Sequence, residues 1–158
     1  MKFSLTEKIE KETELPLENV IAIFKNGITK KLQLFPDQIM RGEITINFID
    51  AVINPRFGLD GAKSRVIGKV TTDKTNTHIS CIVKPSWAII IFDAVWVLLV
   101  LLMAFFHEYT DITETLEFLF IAIIWTIIPF ALSKLKVYLD KRQLEKWIET
   151  QLANALNK

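Results

Sequence analysis

The sequence predicts an α+β membrane protein: a small antiparallel sheet with one covering helix, then a transmembrane helical hairpin and an amphipathic carboxyl-terminal helix. Strand-like segments and turn residues alternate through residues 1–86, and two nearly uninterrupted apolar runs follow at 87–106 and 116–135. Each run approaches the ~20 residues that a helix needs to cross a ~30 Å hydrocarbon layer. The 158 residues therefore divide into a domain at 1–86, a hairpin at 87–135 and a tail at 136–158.

The amino-terminal domain is predicted to begin with a strand and a helix. Residues 2–8 alternate apolar and polar side chains, as a half-buried strand does. Residues 14–26 favour a helix, with Pro16 in its first turn and Gly27 as a left-handed stop. Four strand-like segments follow, and the linkers between them are too short for parallel crossovers, so they predict antiparallel hairpins. These segments are residues 42–49, 51–57, 65–72 and 77–83.

The distribution of charge predicts which side of the membrane each part occupies. Residues before Trp87 include 13 Lys and Arg against 10 Asp and Glu, a net of +3, whereas the loop region 108–117 has acidic residues and no basic one. Because cytoplasmic flanks of membrane helices are enriched in Lys and Arg, both termini are predicted to be cytoplasmic. The amino terminus has no apolar core of a cleaved signal, so the first apolar run is expected to direct insertion. Cys81, the single cysteine, is expected to be an inert strand residue.

Asp93 is the main candidate for a functional residue in the hairpin. A carboxylate at mid-bilayer costs on the order of 3 kcal/mol or more, although Asp93 lies only about 9 Å inside the first run. In an antiparallel hairpin Asp93 is level with Pro129 and near Thr126 of the second helix. With Ala122 and Ser133, these two residues form a small, partly polar stripe on that helix. We predict that Asp93, Thr126, Pro129 and Ser133 form a membrane assembly contact, within the hairpin or with a neighbouring subunit. Proton or ion transport is the weaker alternative.

The tail carries apolar residues at helical spacing, among them Leu144, Trp147, Ile148 and Leu152. This stripe predicts a helix that packs on its own domain or pairs with another subunit. The alternative is a helix that lies on the inner membrane surface, with Trp147 at the headgroups and lysines towards anionic lipid.

Arg56 follows the turn-prone pair Asn54-Pro55 and precedes Phe57. A strand kink with a solvated Arg is one interpretation, and contact of Arg56 with an anion or a partner, lipid headgroups included, is the other. The domain lacks the basic and aromatic patch that nucleic-acid binding requires. We find no phosphate-binding loop, zinc motif or nucleophile elbow in the sequence, and His107 with its acidic neighbours matches no metal site. We therefore predict a protein that is not an enzyme and binds no cofactor, metal or nucleic acid.

Several short patterns of the domain resemble those of a group of uncharacterised small bacterial membrane proteins. They are Arg41-Gly42-Glu43-Ile44, Asn54-Pro55-Arg56-Phe57, Val66-Ile67-Gly68-Lys69-Val70 and Thr77-His78-Ile79-Ser80. The group has a short β-rich cytoplasmic domain followed by a two-helix membrane anchor. The resemblance implies a multi-pass protein of the bacterial cytoplasmic (inner) membrane and carries no established activity.

The predicted function is that of a non-enzymatic accessory or assembly protein, which presents a cytoplasmic interaction module on a membrane tether. Its expected partners are the lipid bilayer and either another membrane protein or a second copy. The alternative is a ligand- or lipid-binding sensor with a pocket under the curled sheet. An enzyme, in which a cleft unites His78, Arg56 or Asp50 with a bound cofactor, is a third interpretation.

Overall fold

The computed structural model describes residues 5–29, 39–53, 64–106 and 112–157, which form six strands and three helices. The strands are β1 (Glu7–Thr13), β2 (Ile28–Thr29), β3 (Met40–Thr45), β4 (Phe48–Ile53), β5 (Ser64–Asp73) and β6 (Asn76–Pro85). The helices are α1 (Leu17–Gly27), α2 (Trp87–Phe106) and α3 (Ile112–Leu156). The predicted α+β class and antiparallel sheet are confirmed.

All six strands belong to one sheet in the order β1-β6-β5-β4-β3-β2. Neighbouring strands are antiparallel, except that the short β2 lies parallel to β3. The register brings five strand ends together at one end of the sheet. They are Glu7, Met40, Ile53, Ser64 and Pro85. We call this the helix-proximal end of the sheet, because α2 begins two residues after Pro85.

Two predicted strand positions are wrong. The strand predicted at residues 2–8 overlaps β1 only at Glu7 and Lys8, and its residues 2–4 lie outside the described residues. The sequence of β1 contains one large apolar residue, so burial of alternate positions leaves little trace in the sequence. The β3–β4 turn falls at Ile46 and Asn47, inside the segment 42–49 that we predicted as one strand. Ile46 has a φ of 51° and is 83% exposed. This apolar residue occupies a left-handed turn position that glycine or asparagine usually takes, and the sequence pattern therefore hid the turn.

Gly27 closes α1 by packing rather than by a left-handed conformation. The described glycines all have a negative φ, and the chain passes directly from Gly27 into β2. A Cβ atom at Gly27 would overlap the ring of Trp147 on α3. The Phe24 ring meets the same indole edge to face, with ring centroids 5.6 Å apart. Gly27 is thus required for close approach of α1 and α3.

One face of the sheet is covered by α1 and by the carboxyl-terminal half of α3. Val20 and Phe24 of α1, with Leu144 and Ile148 of α3, are at most 1% exposed. They belong to one hydrophobic core with buried residues of β1, β3, β4, β5 and β6. The amphipathic tail therefore packs on its own domain, the first of the two predicted alternatives.

Ion pairs join α3 to the edge strand β1. Lys141 lies 3.7 Å from Glu7, and Lys11 pairs with Glu145 at 3.4 Å and with Glu149 at 2.6 Å. From Lys141 to Glu149 the helix advances about 12 Å, and from Glu7 to Lys11 the strand advances about 13 Å. The helix and the strand therefore run side by side in the same direction, away from the helix-proximal end of the sheet.

The second apolar run and the tail form one helix, because α3 continues from Ile112 to Leu156 without a break. At 45 residues it is about 68 Å long. Pro129 lies inside it. One rigid element thus carries both an apolar half and a half that belongs to the core of the domain.

Candidate membrane and assembly site

A large apolar surface covers α2 and the first half of α3. Trp87 is 69% exposed and Phe105 is 82% exposed, and most other large apolar side chains from residue 87 to residue 139 are exposed too. Monomeric soluble proteins rarely expose contiguous apolar patches above a few hundred Å². A patch of this kind marks a contact site for a membrane or for another protein.

By length and composition, one helix of the described chain, Thr113–Leu156, is a candidate membrane span, whereas we predicted two. The apolar stretch of α2, Trp87–Met103, is shorter than a candidate membrane span. At 17 residues it covers about 26 Å, slightly less than a hydrocarbon layer of about 30 Å.

Asp93 lies between the two helices. It is 5% exposed, and Ser133 Oγ donates a hydrogen bond of 2.9 Å to Asp93 Oδ2. The structure therefore joins two of the four predicted assembly residues, although Asp93 meets Ser133 rather than Pro129 or Thr126. The bond satisfies one carboxyl oxygen inside the chain.

Pro129 affects the helix pair through a carbonyl group. Proline has no N–H, so the carbonyl oxygen of Trp125, four residues earlier, loses its helical donor. The indole Nε1 of Trp96 on α2 donates to this oxygen at 2.9 Å. The two indoles stack with ring centroids 5.5 Å apart and planes at 13°. The sequence predicted the freed carbonyl but not its donor, which a tryptophan on the facing helix could have indicated.

The small-residue stripe of α3 faces α2. Ser133 and the residues around Pro129 contact α2 as described, and Thr126 returns its hydroxyl to the Ala122 carbonyl at 2.8 Å. Beyond Thr126, towards the amino-terminal end of α3, an open apolar groove of about 290 Å³ lies between the two helices. Its lining is Val100, Leu101, Leu119, Ala122, Ile123, Thr126 and Ile127. The small side chains of Ala122 and Thr126 thus leave space that no described side chain fills.

Both helices join the domain without a flexible linker. Only Ser86 separates Pro85 of β6 from Trp87, and its carbonyl accepts the first N–H groups of α2, from Ile89 and Ile90. The other helix enters the hydrophobic core directly, with Val137 1% exposed. The helix pair and the sheet are therefore held together at two points.

Asp50 and His78, the two described residues of the enzyme interpretation, lie apart. Asp50 pairs with Arg65 through hydrogen bonds of 2.8 and 2.5 Å, and these bonds hold the pKa of Asp50 below its ordinary value. His78 instead pairs with Glu12 at 3.1 Å, near the opposite end of the sheet. Arg56, the third member, lies outside the described residues, as does His107. Among the residues that the structure describes, no three His, Cys, Asp or Glu side chains are grouped to hold a metal ion.

Cys81 lies in β6 inside the hydrophobic core. Burial raises the pKa of its thiol to about 12, so the thiol stays protonated at neutral pH. A protonated, enclosed thiol reacts slowly with alkylating agents.

The buried side chains under the sheet belong to one contiguous hydrophobic cluster. The candidate site is therefore the α2–α3 pair and its junction with the sheet. Comparison with known proteins gives no match: no family model, no curated protein and no solved structure is significantly similar to this chain.

Proposed function

We propose that this chain is a non-enzymatic accessory or assembly protein of the bacterial inner membrane, whose α2–α3 pair crosses the bilayer as a hairpin and holds the α+β domain in the cytoplasm. The observation that carries the proposal is the continuity of α3, which is exposed and apolar in its first half and part of the domain core in its second half.

The fold supports two crossings rather than one. Because the sheet and the carboxyl-terminal half of α3 share a core, both ends of the helix pair lie on the same side of any membrane. If α3 crosses once, the chain must cross a second time, and α2 is the apolar helix available. The apolar stretch of α2 spans about 26 Å, and the whole helix of 20 residues spans about 30 Å, enough to reach across the hydrocarbon layer.

Interhelical contacts support the same arrangement. The contact from Asp93 to Ser133 and the contact from Trp96 to Trp125 occur in opposite order along the two helices, as in an antiparallel pair. Hydrogen bonds between helices in a bilayer contribute about 0.6–2 kcal/mol each. Lys and Arg are in excess before α2 and after the apolar half of α3, and this excess favours cytoplasmic termini.

Labelling of introduced cysteines tests the hairpin. Thr113 and Asn157 are exposed and mark the two ends of α3. A membrane-impermeant maleimide should label Thr113→Cys in intact spheroplasts, and Asn157→Cys or Lys74→Cys only after permeabilisation. The unsubstituted chain is the control, because the native thiol is buried. Labelling of all three positions from the same side would exclude the hairpin.

The groove between α2 and α3 supports the assembly role, because a helix of a membrane-protein partner or of a second copy can fill it. Ala122→Leu should fill the groove and weaken co-purification of the partner from mild detergent, or self-association of the purified chain. Ala131→Leu adds the same volume on another side of α3 and should have no effect. A monomer that brings no partner at any concentration would contradict the assembly role.

A further inference from the structure

We propose that the open face of the sheet contacts anionic phospholipid headgroups through a basic row at its membrane end. The row consists of Arg41, Val52, Arg65 and Lys84, which lie side by side on β3, β4, β5 and β6. This inference depends on the proposed membrane tether, and it assigns the tethered domain a lipid class.

The register places these four side chains together. Arg41 pairs with Val52, Val52 with Arg65, and Arg65 with Lys84. Their strand neighbours, such as Met40 and Val83, are buried under the helices. Because successive side chains of a strand point to opposite faces, the row lies on the face that α1 and α3 leave uncovered. All four members are partly exposed.

The row lies at the height of the headgroups in the proposed orientation. Lys84 is three residues before Trp87, where the apolar run begins, so at most about 10 Å of chain separates them. The headgroup layer of one leaflet is roughly 5–8 Å thick, and a Lys side chain adds several ångströms of reach. Since the strands run alongside α3, a row across the strands lies roughly parallel to the membrane plane.

The charges in the row favour an anion. Arg65 is held by Asp50, but Arg41 and Lys84 form no ion pair within the part of the chain that the structure describes. The positive charges of Arg65 and Lys84 stand directly opposite each other. Asp50 supplies one negative charge to both of them, so the row with Asp50 still has a net positive charge of two. The acidic residues Glu43 and Asp50 occupy the next row, about 7 Å further from the membrane. Positive charge is therefore nearest to the lipid.

A phosphodiester headgroup matches this row because it brings one negative charge to a fixed height above the acyl chains. Each Lys or Arg near an anionic surface increases association about five-fold. Arg41 and Lys84 together should therefore favour a phosphatidylglycerol leaflet over a phosphatidylcholine leaflet by about 25-fold, and a single phosphatidylglycerol molecule by a smaller factor in the same direction.

The test measures binding of the first phosphatidylglycerol or phosphatidylcholine molecule to the detergent-purified full chain by native mass spectrometry. We expect Arg41→Gln/Lys84→Gln to lose most of the preference for phosphatidylglycerol. Lys69→Gln/Lys74→Gln removes the same charge from positions further from the helix-proximal end of the sheet, and this double variant should keep the preference for phosphatidylglycerol. Equal loss in both double variants, or equal binding of both lipids by the unsubstituted chain, would overturn the proposal.

Two further measurements separate the possible failures. Displacement of the lipid by millimolar glycerol phosphate would assign the row to a soluble phosphate instead. Flotation of the reconstituted chain with phosphatidylcholine vesicles tests the tether by itself. A chain that floats but shows no lipid preference refutes the basic row alone, whereas a chain that does not float refutes the proposed function.

Discussion

The hydrogen bond between Trp96 and the Trp125 carbonyl leads to a quantitative prediction about Pro129. In the protein the indole N–H is a donor to a carbonyl that has lost its helical partner. Trp96→Phe leaves that oxygen without its side-chain donor, which in the hydrocarbon surroundings of the proposed hairpin costs about 1–3 kcal/mol. Interhelical bonds in membranes average about 0.6 kcal/mol with a maximum near 1.7, so we expect the hydrogen bond to contribute about 1 kcal/mol.

Pro129→Ala should remove most of this cost, because the alanine supplies an N–H that can bond to the same carbonyl within α3. Trp96→Phe should therefore destabilise the chain that retains Pro129 by about 1 kcal/mol more than it destabilises the Pro129→Ala variant. The measurement is a double-mutant cycle on the free energy of unfolding of the full chain in mixed detergent micelles, followed by circular dichroism.

Trp125→Phe is the matched control for this cycle. It removes an indole from the same stack but leaves both the backbone carbonyl and its donor in place. Its cost should therefore be the same in the chain that retains Pro129 and in the Pro129→Ala variant. A coupling between Trp96→Phe and Pro129→Ala below about 0.3 kcal/mol would refute the role of the freed carbonyl.

Three further predictions concern the domain. Gly27→Val should lower the free energy of unfolding by about 1–3 kcal/mol, because its side chain would overlap Trp147, and chemical denaturation measures this. Ile46→Gly should raise it by roughly 0.5–1 kcal/mol, because glycine accepts the positive φ of 51° without strain; a loss of stability would contradict this. Since Arg65 lowers the pKa of Asp50 in the folded state, their pair should stabilise fully above the ordinary carboxyl pKa and lose its effect as pH falls through the lower folded pKa. Both side chains are over a third exposed, so solvent screening should keep the effect small, and Arg65→Gln should abolish this part of the pH dependence of unfolding.

The sequence predicts the larger elements well, because their patterns are long. The apolar run 87–106 coincides with α2, and the alternation of Ile79, Cys81 and Val83 matches three fully buried positions of β6. β1 was misplaced because its stability depends on β6 and on ion pairs to α3, which are distant in sequence. A two-residue strand such as β2 has no sequence period at all.

The relation between the second apolar run and the tail could not be predicted from local patterns. The sequence changes from all-round apolar to amphipathic near Leu135, but it contains no Gly or Pro there to end a helix. Composition therefore suggested two elements where the backbone forms one. In the candidate site, Asp93 and Ser133 were identified from their chemistry, whereas their pairing depends on the rotation of the two helices about their axes.

The continuity of α3 fixes the rotational phase between its two halves. One residue inserted between Leu135 and Lys136 would turn the apolar half by about 100° relative to the sheet and move Ser133 away from Asp93. Seven inserted residues would restore the phase to within about 20° while lengthening the helix by about 10 Å. Chains built on this plan can thus change length at the junction only by insertions close to whole helical turns, such as seven or eleven residues, and only if the connection at Ser86 lengthens as well.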